Sequence, residues 1–165
     1  MLVSLLHSLP LLLTLAPGGT CDTASLEQLA ETLNHGAVTG SIRLEATVTP
    51  EPCELRLTLA PSDPEPSSPR FRVEWHLRPE DLDLSRLAGV TSPGGTTVTL
   101  QARPGRTFSR VLLQAGSCER LPCRWVAGPS EVREEFQLVF RTEQVAHLTE
   151  AFRRAAQGPQ VLTVR

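Results

Sequence analysis

Three stretches of the chain alternate apolar and polar side chains almost without interruption. In the first, Ile42, Leu44, Ala46 and Val48 alternate with Arg43, Glu45 and Thr47. In the second, Cys53, Leu55, Leu57 and Leu59 alternate with Glu54, Arg56 and Thr58, and in the third, Phe71, Val73, Trp75 and Leu77 alternate with Arg72, Glu74 and His76. A period of two places successive side chains on opposite faces of a strand, so each stretch predicts a strand with one buried face. The turn Thr49-Pro50-Glu51-Pro52 is short enough to make the first two antiparallel neighbours. The pattern is weaker further on. Pro93-Gly94-Gly95 introduces a strand with Val98, Leu100 and Ala102 inward, and Arg103-Pro104-Gly105-Arg106 reads as a hairpin-like turn into a strand over 107–114. Phe136, Leu138 and Phe140 alternate again, and Val161 to Val164 resembles a closing strand.

Beyond the first twenty residues, helical spacing occurs twice. Ser25-Leu26-Glu27-Gln28 matches a capping box, Leu26, Leu29, Ala30 and Leu33 share one face, and Gly36 supplies a stop. These signals predict a helix from about Leu26 to His35. Thr142 reads as the cap of a second helix with Val145, Leu148, Phe152 and Ala155 on its buried face. Arg153 and Arg154 complement the dipole in its last turn, and Gly158-Pro159 ends it. Glu80 to Leu87 predicts only a brief helical turn. A sheet with one apolar face must be covered. The expected fold is therefore α+β: a two-layer, mainly antiparallel sheet covered by the C-terminal helix and the short N-terminal helix. The alternative is a β-sandwich, two smaller sheets covering each other. Residues 21–165 read as a single domain without internal repeats, carrying an exposed Pro-rich loop at 60–69.

The amino end has a different pattern. Residues 1–20 carry no formal charge, and Leu2 to Ala16 is an apolar run followed by Pro17-Gly18-Gly19. The run and its small residues predict a secretory signal peptide, although the usual basic start is missing. The alternative is a packed amphipathic helix, because Leu2, Leu5, Leu6, Leu9, Leu12 and Leu13 recur at helical spacing; Pro10 argues against it. A transmembrane anchor is not expected, since a span needs about 20 apolar residues.

Export decides what the four cysteines do. An even number in a secreted chain predicts disulfides, here with three possible pairings of Cys21, Cys53, Cys118 and Cys123. Only four residues separate Cys118 from Cys123, with Pro122 among them, so a local bridge is the first expectation; it stabilises by about 2 kcal/mol. Cys21 to Cys53 would then tie the amino end to the sheet. In a cytosolic chain all four would be reduced core residues.

Composition mainly excludes. All 16 basic residues are Arg, so no Schiff-base or P-loop lysine exists, and Tyr is absent. A formal net charge of -2 gives no signal for nucleic acid. His7, His35, His76 and His147 are scattered, and no Gly-x-Ser-x-Gly elbow accompanies them. Glu80, Asp81 and Asp83 lack the EF-hand spacing and read as caps. No catalytic residue, metal ligand or cofactor site is predicted. The candidate binding surface is Arg43, Arg56, Arg70, Arg72 and Arg78, joined by Trp125. Interleaved Glu45, Glu54 and Glu74 predict that much of its charge is internally paired. The sequence therefore predicts a non-enzymatic, disulfide-stabilised protein of the secreted or ER-lumenal space that binds or signals to a protein partner. The alternative is a non-catalytic subunit of a cytoplasmic or nuclear complex, with the leucine-rich segment packed as a helix.

Overall fold

The three alternating stretches are neighbours in space. A computed structural model describes residues 21–37, 40–62, 70–115 and 124–157. Strands β1 (Ile42–Thr49), β2 (Glu54–Pro61) and β3 (Arg70–Leu77) pair antiparallel in sequence order. After 3-10 turns at Pro79–Asp81 and Leu84–Arg86 come β4 (Ala88–Ser92), β5 (Gly95–Gln101), β6 (Phe108–Ala115), β7 (Val126–Arg133) and β8 (Glu135–Phe140). Helix α1 (Thr23–Gly36) precedes the strands, and α2 (Val145–Gln157) follows them. The fold is α+β, with antiparallel sheets and a helix at each end of the described chain. The strands divide into two sheets, ordered β1-β2-β3-β6-β7 and β4-β5-β8.

One bent ribbon joins the sheets. β5 pairs with β8 and β6 with β7, so β5–β6 and β7–β8 are the two arms of a single long hairpin. The arms change sheet together. Gln101 still faces Glu135 and Phe108 already faces Arg133, so residues 102–107 lie opposite Glu134 alone. The amide of Ala102 donates to the Glu134 carbonyl at 2.7 Å. Strands that turn such a corner let two sheets share one core. The turn at Arg103–Arg106 is thus this corner, not the expected hairpin, because β5 and β6 pair with other strands. Trp75 of β3 and Phe136 of β8 meet across the junction, ring centroids 4.6 Å apart. Apart from Leu113 and Ala115 of β6, the buried apolar residues of both sheets and both helices form one cluster.

Helix α1 packs on β1 and α2. Its cap is Asp22, not Ser25: the Asp22 carboxylate accepts from the Ser25 amide at 3.2 Å and from the Ser25 hydroxyl. The whole expected box therefore lies inside the helix, with Ser25 its third residue, since the carboxylate acceptor lies upstream. Gly36 ends the helix where a Cβ would lie 2.6 Å from the Phe140 ring. The second cap also differs. Thr142 opens a 3-10 turn (Thr142–Gln144) with no side-chain cap before it. Its hydroxyl instead lies 3.0 Å from that of Thr96, a buried polar group that needs partners. Leu148, Ala151 and Phe152 form the buried face of α2, with Val145 and Ala155 at its margin.

Two strands were not expected. Every residue of β4 and β7 is exposed, so neither carries alternation. β6 alternates irregularly because its register with β7 shifts between Val111 and Leu113. Residues 1–20, the Cys118–Cys123 pair, residues 63–69 of the Pro-rich loop and the strand expected at Val161 to Val164 lie outside the described residues. The second expected bridge is present: Cys21 is bonded to Cys53, tying the start of α1 to the β1–β2 turn.

Substituting both Cys21 and Cys53 by Ser opens a loop with a sequence separation of 32. The expected loss is about 3–4 kcal/mol in urea unfolding. The Asn34 carboxamide pairs with both backbone groups of Ala46, at 2.7 and 3.0 Å. Asn34→Ala leaves them without these bonds and should cost about 2 kcal/mol in the same assay. The hydrogen bonds from Ser25 hold the Asp22 carboxyl below its ordinary range. A depressed folded-state pKa contributes stability that is present above the unfolded value and lost as pH falls through the folded one. Wild type should therefore be more stable than Asp22→Ala at neutral pH, and thermal unfolding of the two should converge on acidification.

Candidate binding surfaces

Two surfaces of the five-stranded sheet can hold a partner. On its outer face, β1 presents Arg43 and Glu45, β2 presents Glu54 and Arg56, and β3 presents Arg70, Arg72, Glu74 and His76, as their alternation requires. Arg72 pairs with Glu74 at 2.9 Å. His76 Nδ1 lies 2.5 Å from a Glu54 oxygen, and its Nε2 is 3.9 Å from Glu74. Of the three acids expected to pair on this face, Glu74 meets an arginine and Glu54 meets His76. Arg72 also lies over Trp125, its guanidinium carbon 4.5 Å from the ring centroid. Trp125 is half-buried on this face and is not among the core residues. Arg72 and Arg70 stand opposite the buried Leu113 and Ala115 of β6, where long stems can cover apolar neighbours. Four of the five predicted arginines share this face. Arg78 does not: it is exposed beyond the far end of β3, about 26 Å of strand from Arg70.

The inner face carries the second surface, which the sequence does not single out. Moving along the strands, Leu55, Leu57 and Leu77 are fully buried and Trp75 nearly so, whereas Leu59 and Val73 are half-buried. At the end of the same rows, Ile42 and Phe71 are 47% and 55% exposed. The cover given by the helices and second sheet stops short of this end. Ile42, Leu59, Pro61, Phe71 and Val73 then line an open basin of about 480 Å³, within the size range of sites that take small ligands or anchoring side chains. Among the described residues its lining contains no ionisable side chain.

The remaining candidates are structural in their contacts. Asp83 accepts from the Ser85 amide at 3.1 Å and caps a 3-10 turn, and Asp81 lies 3.4 Å from Arg106. His35 Nδ1 lies 2.8 Å from the Glu31 carbonyl, and His147 is exposed on α2. Among the described residues no three His, Cys, Asp or Glu side chains converge as metal ligands. Nor is any helix among them long and apolar enough to cross a membrane. Compared with protein-family models, with curated proteins and with solved structures, the chain finds no match.

An uncovered apolar residue does little for folding. Phe71→Ala should therefore cost less than about 1 kcal/mol, whereas Phe152→Ala, at a fully buried position, should cost about 3–5 kcal/mol. Urea unfolding of the two variants beside wild type makes the comparison.

Proposed function

We propose that this chain is a binding protein of an oxidising, extracytoplasmic compartment that engages a protein partner and carries out no chemistry of its own. The observation that carries the reading is the uncovered apolar end of the inner sheet face around Ile42 and Phe71. Exposed apolar surface gathered into a concave patch contributes nothing to the fold and is what a partner's side chains bury. The Arg72–Trp125 pair adds residue types enriched where binding energy concentrates. The Cys21–Cys53 bridge supports the compartment, since such bonds persist where thiols are not kept reduced. The charge-free residues 1–20 support export.

A photo-crosslinking amino acid at position 71, introduced in cells that express the protein, tests the binding surface. The expected result is one discrete adduct to another protein, lost when Ile42→Asp is added. Crosslinks confined to the chain itself would contradict the reading. Amino-terminal sequencing and thiol counting on the recovered protein test the compartment. A chain starting near Gly19 to Asp22 with no free thiol is expected. A chain retaining Met1, with reduced cysteines in the cytosol or nucleus, would instead support a subunit of an intracellular complex.

A further inference from the structure

Among the described residues the two sheets end in four edge strands, β1 and β7 in one and β4 and β8 in the other. Open edges invite pairing with other chains, and proteins commonly block them with charges, proline, bulges or a covering element. Three of the four are treated in this way. Helix α1 lies along β1, where Asn34 occupies the amide and carbonyl of Ala46. β7 carries Pro129, Glu131 and Arg133 and is bulged against β6. β8 carries Glu135, and its last residue, Phe140, is bridged by Ala37.

Among the described residues β4 has no such device. Its sequence Ala-Gly-Val-Thr-Ser lacks charge and proline, all five residues are exposed, and Val90 is 71% exposed. Among the described residues β5 is its one strand neighbour. The lack of charge extends across the outer face of this sheet. Val90, Thr97 and Val139 form one row across β4, β5 and β8, and Thr99 and Gln137 stand beside them. Among the described strand residues of that face, Glu135 carries the single formal charge. The outer face of the larger sheet, by contrast, is crowded with arginine and glutamate.

We propose that β4 is where a second copy of this chain pairs, β4 antiparallel to β4 about a two-fold axis at Val90. The two three-stranded sheets then merge into one of six strands. In this register Ala88 faces the partner's Ser92, Gly89 faces the partner's Thr91, and Val90 meets its own counterpart. An isologous contact requires a strand that complements itself, and an uncharged one does so without like-charge repulsion. The nearest charge, Arg86, falls level with the partner's Gly94, so no arginine opposes its own copy. A partner selected by charge would find nothing here to recognise. This inference stands apart from the binding surface around Phe71, which lies on the other sheet.

Sedimentation equilibrium on the purified protein tests it. Wild type should be a reversible dimer. Val90→Lys, at an exposed position, should keep the fold by circular dichroism and weaken dimerisation at least about tenfold, because the axis sets lysine against lysine. Val132→Lys on the exposed face of β7 should leave it unchanged. Val90→Glu alone should also weaken the dimer, and mixing it with Val90→Lys should restore a heterodimer, since position 90 then meets its opposite charge. The proposal is overturned by a monomeric wild type, whether β4 is open or covered by another segment or protein. It is equally overturned by a dimer that Val90→Lys leaves intact, or by Lys and Glu variants that do not recombine.

Discussion

The contact between Trp75 and Phe136 is where two sheets become one protein. Each sheet has an apolar inner face that would be exposed by itself and must be covered. The ribbon β5–β6/β7–β8 carries the chain from one sheet to the other and turns both inner faces toward a common core. Its corner fits six residues on one arm opposite one on the other. The position of the helices depends on this corner. α1 ends against Phe140 through Gly36, and α2 starts from the Thr96–Thr142 hydroxyl contact, so both are placed by strands of the smaller sheet.

The same geometry explains where the core ends. Three strands of eight residues run further than the smaller sheet and the helices can cover, and Ile42 and Phe71 lie on the excess. Hydrophobic burial scales with the area removed from water, so these side chains contribute little while Leu57, two rows away, is fully buried. The apolar basin is therefore a consequence of strand length. Burial by a partner is the free energy left available there.

Much of this was legible in the sequence, for physical reasons that also mark the limits. β1, β2 and β3 each separate a wet face from a dry one, and period-two patterning records that separation residue by residue. It also placed Arg43, Arg56, Arg70 and Arg72 on one side, with their acids between them. β4 and β7 have no dry face, so no alternation could reveal them. The division into two sheets depends on pairings between residues far apart in the chain, and the corner at 102–107 resembles a local turn when read in sequence. Phe71 and Ile42 alternate just as core residues do; whether such a position is covered depends on the length of other elements. Asn34 gave no signal, because its role depends on a strand that passes its side chain twelve residues later. Both caps were misplaced for a related reason: Asp22 offered a stronger acceptor upstream of Ser25, and Thr142 was claimed by Thr96.

Amide hydrogen exchange on wild type and Phe136→Ala tests most directly that one core holds both sheets. If the core is shared, truncating Phe136 should lower protection in β2 and β3 of the larger sheet by the same free energy as in β5 of the smaller one. Loss of protection in β5 and β8 alone, with β2 and β3 as slow as in wild type, would contradict the account.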